Sequence, residues 1–213
     1  MGSRWDNTLF FLGRHGRTHS NDLNIYRSWS NSANAQLEPK GQEEVRASAE
    51  WLAAQRAPIE LIISDSLDRT LETSEIYAEV LGVERIVAVR GLHPLNMGDW
   101  TGKNKERYSV EPFLVNKSKR IPGGERVKDF DQRQFAMFKI IMPVVDSLPP
   151  GAVLIVGHGS TVSFLWNNVF NKDGRQIGYE GLVDPAGLVN VTKEEMIPVL
   201  RARERKGAKV EEK

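Results

Sequence analysis

The sequence predicts a three-layer α/β/α fold with a mostly parallel central sheet and helices on both faces. Three observations predict it. The short apolar runs TLFFLG, IELIIS, RIVAVR and AVLIVG read as buried strands. Segments with helical periodicity lie between them, the pattern of βαβ units. No internal repeat or linker divides the 213 residues, so one domain spanning 1–213 is expected.

The elements follow in order. TLFFLG is a continuous apolar run, which suits a strand covered on both faces. Val45, Ala49 and Leu52 place a helical stripe across 41–55, and Pro58 breaks it before IELIIS. Ser66 is a candidate cap for the next helix, whose face carries Leu67, Thr70, Leu71, Ser74, Ala78 and Leu81 until Gly82 stops it. RIVAVR is the third strand. Residues 93–126 have no clear period and are rich in Gly, Lys and Arg; a loop this long inside a compact domain is usually functional. A long helix over about 127–148 should bend at Pro143, and STVSFLWNNVF forms a helix behind AVLIVG. GLVNVT and MIPVLRARE read as a closing hairpin, and about 205–213 as a frayed tail.

Composition narrows the function. The chain has no cysteine, which excludes disulfides, thiolate metal sites and thiol catalysis, and fits a reducing compartment. A formal net charge of +1 gives no global field for nucleic acid or a membrane surface. No stretch reaches the length of a membrane span. MGSRWDNT lacks the apolar core of a signal peptide, and Asp6 stands where a myristoylation motif has Ser or Thr. The expected location is cytoplasmic.

Chemistry gathers where the apolar runs end. Arg14, His15 and Gly16 follow the first, with Thr18 and Asn21 just beyond; Gly157, His158 and Gly159 close the last; Arg69 stands about one helical turn past the second. Ligands of such sheets collect at the carboxyl ends of the strands. An arginine fork donates paired hydrogen bonds to phosphoryl oxygens, a neutral imidazole can attack phosphorus, and a second, protonated histidine adds charge to the equatorial oxygens. Glycines beside each histidine let backbone N–H groups approach an anion.

RHGRTHSN is similar to the R-H-G-x-T-x-x-N signature of the histidine phosphatase superfamily, the phosphoglycerate-mutase-like family. LEPKGQEEV, SDSLDRTLETS, GDWTG, PGGE and VGHGS resemble further segments of that family, in family order, over about residues 8 to 165. The resemblance implies phosphoryl transfer to His15, with Arg14, Arg69 and His158 clamping the phosphoryl oxygens, Asn21, Gly16 and Thr18 in support, and water releasing phosphate. It implies no cofactor and no metal. Partners would be a small phosphorylated substrate or a phosphoprotein, with no nucleic acid and no membrane; oligomeric state is left open.

One position departs from the family pattern. In LHPLNMGDWTG, Leu92, Gly98, Trp100 and Gly102 align, but the place of the family's general-acid Glu holds Pro94. His158 is followed by Gly159, so the alternative His-Asp pair is absent too. Loss of a general acid lowers rates by about 10²–10⁴-fold. His93 is the first candidate donor because it is adjacent and titrates near neutrality, with Asp99 and Glu125 behind it. Otherwise the substrate has a good leaving group, or the site binds phospho-ligands with little turnover. A mutase must return its phosphoryl group to a poor leaving-group alcohol, so a hydrolase is expected over a mutase.

Other readings are less chemical. His15 and His19 are spaced as zinc ligands can be, but no H-E-x-x-H pattern or acidic neighbour accompanies them. Trp29, Trp100 and Trp166 read as packing residues. Lys103, Lys105, Arg107, Lys117, Lys119 and Arg120 form either a substrate-selecting lid or a solvated loop.

Overall fold

A computed structural model describes residues 9–54, 58–149, 151–170 and 189–192. In chain order the elements are β1 (Leu9–Arg14), α1 (His19–Asp22), α2 (Pro39–Ala54), β2 (Ile59–Ser64), α3 (Asp68–Leu81), β3 (Ile86–Ala88), α4 (Glu111–Val115), α5 (Val127–Asp146), β4 (Ala152–Gly157), α6 (Gly159–Leu165) and β5 (Val189–Thr192). The sheet runs β3-β2-β4-β1-β5. The pairs β2–β3, β2–β4 and β1–β4 are parallel, and β5 lies antiparallel on β1.

The continuous apolar runs are explained by a sheet covered on both sides. Side chains alternate along a strand, so each run feeds two cores. Phe10, Leu12, Leu61, Ile63, Val153 and Ile155 pack with Phe130, Phe138 and Ile141 of α5 and Val162 of α6. Phe11, Ile62, Leu154 and Val156 pack with Val45, Ala49 and Leu52 of α2 and Tyr77 of α3. Fully burying each such side chain contributes about 1.5–3 kcal/mol, which makes this central pairing the stable part of the molecule.

Several boundaries differ from expectation. The third helix is entered through Leu67, not Ser66, and begins at Asp68 with no side-chain cap. The long helix runs as expected through Pro143 and ends at Asp146, two residues short of the expected boundary. RIVAVR is a strand only over Ile86–Ala88 and then tightens into a 3₁₀ turn, Arg90–Leu92. The 93–126 segment holds a 3₁₀ turn at Gly98–Trp100 and the short helix α4. Of the expected hairpin, β5 is present and pairs with β1; MIPVLRARE and the tail lie outside the described residues.

Two glycines are required by packing. A Cβ on Gly16 would meet Val45 Cγ2 at 2.7 Å and the Gly41 carbonyl oxygen at 2.8 Å, and one on Gly41 would stand 2.2 Å from the Arg17 carbonyl oxygen. The start of α2 therefore presses directly on the turn after β1. That turn is also held from α3, where Thr73 Oγ accepts the Gly16 N–H at 3.0 Å.

Candidate active site

β1 and β4 are neighbours, and each delivers a histidine at its carboxyl end. Their registers bring Arg14 beside Gly157, and the His15 N–H donates to the Gly157 carbonyl at 2.9 Å. The rings of His15 and His158 then lie 5.3 Å apart between centroids. Both rings are buried. His15 donates from Nδ1 to the Gly16 carbonyl at 2.7 Å, which leaves Nε2 with its lone pair.

Arg69, at the start of α3, reaches the same place and is 1% exposed. Its guanidinium is fixed by donating to the Ser30 carbonyl at 3.0 Å and the Ser28 carbonyl at 2.9 Å. Ser28 has φ of +52°, a strained conformation for a serine, and its hydroxyl accepts the Met97 N–H at 2.9 Å. One backbone turn thus holds the arginine and the 93–126 segment together.

Arg14, His15, Arg69 and His158 all line one cavity of about 670 Å³. Arg27 lines it too. No sequence pattern singled out Arg27, because it lies in an aperiodic stretch; its neighbours in space identify it. It donates to Thr18 Oγ at 2.5 Å and Asn21 Oδ1 at 2.6 Å. Asn21 Oδ1 also accepts the Thr18 N–H and hydroxyl, both at 3.0 Å.

Gly16, Thr18 and Asn21 are therefore not part of the wall described for this cavity. They sit behind it, with their polar groups committed to Thr73, to each other and to Arg27.

The three candidate acids are also placed away from the cavity wall. His93 is buried and donates from Nδ1 to Asp65 Oδ1 at 2.5 Å. Asp99 is exposed. Glu125 is occupied by Arg133, which donates to both of its oxygens at 3.1 and 2.9 Å. Pro94 itself lines the cavity, with its carbonyl accepting the Trp29 indole N–H at 2.8 Å. Glu111, on α4, is the one carboxylate among the described lining residues.

Asp65 is the second residue that pattern reading missed. It is fully buried and bridges two histidines: His93 on one oxygen, and the Nε2–H of His158 on the other at 2.5 Å. Burial opposes its ionisation, but hydrogen bonds from His158 and His93 outweigh that and hold the carboxyl well below the usual range. A clue lay in its placement next to the last residue of a buried strand.

The cationic setting changes the expected charge of the second histidine. Burial, and then Arg69, push His158 down to about 3, although Asp65 opposes the shift. Burial lowers His15 likewise, helped by Arg27 and Arg69. Both imidazoles are thereby held towards the neutral form at pH 7; arginines that repel an imidazolium are arranged to receive negative charge instead. Arg69 is itself lowered only to about 10, by burial first, and so stays charged.

His19 does not join His15, and the expectation that it has no acidic neighbour is overturned, because the fold brings Glu38 to it and Asp22 lies one turn on. His19 lies outside the cavity with Asp22 and Glu38, their ligand atoms within 4.8 Å of one another. Glu38 accepts from the His19 ring at 3.1 Å and Asp22 is paired with Arg17, so these groups already have protein partners.

These features define a doubly wound α/β protein with an arginine–histidine pocket at the carboxyl ends of two adjacent central strands. A profile of the histidine phosphatase superfamily (branch 1) matches residues 10–203. The chain belongs to that superfamily. It is 30% identical over 167 residues to the 2,3-bisphosphoglycerate-dependent phosphoglycerate mutase of Parvibaculum lavamentivorans, covering 74% of this chain and 77% of that one. It is 27% identical to the phosphoglycerate mutase of Schizosaccharomyces pombe, covering 79% and 82%. The fold matches a phosphoglycerate mutase from Thermus thermophilus with TM-score 0.62 at 22% identity, covering 88% of this chain and 95% of that one. It also matches a mycobacterial glucosyl-3-phosphoglycerate phosphatase in complex with VO3, with TM-score 0.60 at 20% identity and coverage of 75% and 80%.

Proposed function

We propose that the protein is a metal-independent phosphatase that works through a phosphohistidine on His15. The observation that carries this reading is the free Nε2 of His15 in a cavity lined by Arg14, Arg27 and Arg69. The arginines bind the phosphoryl oxygens and concentrate positive charge where the transition state spreads its negative charge. His15 Nε2 attacks phosphorus, and the bond to the ester oxygen breaks. Anion binding favours protonation of His158, whose orientation Asp65 fixes through Nε2. Water then attacks the phosphohistidine, releasing phosphate and restoring the ring.

In-line displacement puts the leaving oxygen on the far side of phosphorus from His15. Pro94 can donate no proton there. We assign the donor to Glu111, the carboxylate of the cavity wall. A hydrolase is favoured over a mutase because water needs no positioned second alcohol.

The test is hydrolysis of an activated aryl phosphate and an alkyl phosphate by native, His15→Ala and Glu111→Gln proteins. His15→Ala should abolish both activities. Glu111→Gln should lower alkyl phosphate turnover by about 10²-fold while sparing the aryl ester, which needs little acid. Undiminished turnover by His15→Ala would overturn the reading. Pro94 in the wall favours a second reading, a module that binds phospho-ligands with little turnover; it requires tight binding of phosphate and negligible hydrolysis of both esters by the native chain.

A further inference from the structure

We infer that the substrate is a phosphomonoester whose organic part is bulky and apolar, rather than a small sugar phosphate or phosphoglycerate. The inference rests on the phosphatase reading for the position of the phosphoryl group and goes beyond it in naming what is attached.

The residues lining the cavity fall into two sets of opposite character. One is the arginine–histidine cluster. The other is the apolar wall made by Ile25, Tyr26, Leu95, Met97, Val110 and Leu114. These come from two separate excursions, which are stitched together by backbone and side-chain bonds. The Tyr26 N–H donates to the Lys103 carbonyl at 3.0 Å, the Gly102 N–H to the Tyr26 carbonyl at 2.8 Å, and the Tyr26 hydroxyl to the Tyr108 carbonyl at 2.7 Å. The last bond satisfies the phenol and leaves the ring as an apolar surface.

The remaining polar groups of that wall offer a second anion little. The Ser28 hydroxyl is engaged with Met97 and Asn96, and Ser160 Oγ accepts the Leu95 N–H at 3.2 Å. Outside the cluster the acidic and basic lining residues are Lys105 and Glu111, with Lys105 lying 6.0 Å from the Tyr26 ring centroid. A carboxylate or second phosphate on the substrate would find a single lysine there and no arginine, and a polyol would leave hydroxyls unpaired against Leu95 and Met97. A volume of about 670 Å³ is in the range of sites that enclose drug-sized ligands, far more than a three-carbon acid fills. Apolar walls reward each buried methylene.

The experiment is calorimetric titration of the native chain with a series of n-alkylphosphonates, ethyl to octyl, which are not hydrolysed. Affinity should tighten by about fourfold per methylene until the cavity is filled. In Leu114→Arg the chain-length slope should shrink; Val110→Asp, on the same wall, serves if the first variant does not fold. An affinity flat across the series, or 3-phosphoglycerate binding more tightly than hexylphosphonate, would overturn the inference. Because the ligands are inert, the result stands whether or not the aryl phosphate is turned over, and failure of hydrolysis alone would count only against the phosphatase reading.

Discussion

Asp65 is a single buried carboxylate hydrogen-bonded to two histidines. Its two oxygens fix two buried imidazoles, and both rings lose their orienting partner if the carboxylate is replaced. Asp65→Asn keeps the shape but must present an N–H to one ring. That change should lower kcat for an aryl phosphate by about 10²–10⁴-fold with a smaller change in KM, and shift the pH profile, since His158 then protonates without its anionic neighbour. Destabilisation should be about 1–3 kcal/mol by urea titration. Unchanged kcat with only lowered stability would confine Asp65 to packing. The residues visible in the sequence were those attached to a pattern: Arg14 and His15 at one strand end, His158 at another, Arg69 a turn after a third. Arg27 carries no such mark, and Asp65 carries only its place just past the end of a buried strand. Each is recognised by what it touches across the fold, and that information is absent from local spacing. His93 shows the same limit from the other side: adjacency in sequence to Pro94 does not put its ring on the cavity side, because the bridge to Asp65 holds it elsewhere.

Among the elements, the turn after β1 depends on two others for its shape. The start of α2 meets it at Gly41, and Thr73 of α3 receives the Gly16 N–H. Gly41→Ala forces a methyl against the Arg17 carbonyl, a backbone atom with little room to move. The expected cost is about 1–3 kcal/mol in urea unfolding, with kcat/KM falling because Arg14 and His15 shift with the turn. Gly102→Ala, where a Cβ would meet nothing within 4 Å despite φ of +79°, is the comparison and should cost less. The helices and strands themselves were legible because both faces of the sheet are covered, which makes the strands uniformly apolar and the helices periodic. The 93–126 segment was not, because its side chains answer to the excursion around Tyr26 and to the cavity rather than to a repeat. GDWTG and PGGE illustrate this: Gly98 stands so near Gly123 that a Cβ would lie 2.2 Å from its carbonyl carbon, and the Asp99 N–H donates to the Pro122 carbonyl at 3.0 Å.

For the whole molecule, the buried histidines tie stability to pH. Unfolded imidazoles take up a proton near pH ~6.5, whereas burial keeps His15 and His158 neutral in the folded chain far below that. Between those limits the unfolded state binds more protons. Stability is therefore fully present above about 6.5 and falls as pH drops towards the folded value, about 3 for His158. Asp65, held below the usual carboxylate range, adds a further loss only in more acid solution. The melting temperature should be lower at pH 5 than at pH 7.5, and sulfate, a tetrahedral dianion that does not titrate in this range, should narrow the gap by binding with His158 protonated. A flat profile between those pH values, with no sulfate effect, would contradict a neutral buried pair.

The pairing of β1 with β4 has one more consequence. A chain leaving the ribosome presents His15, the proposed nucleophile, early and must wait for almost all of the sheet's centre to emerge before His158 arrives beside it. No nascent fragment ending ahead of β4 can assemble the arginine–histidine pocket, so the chemistry proposed for it is withheld until synthesis has passed the strand that completes it.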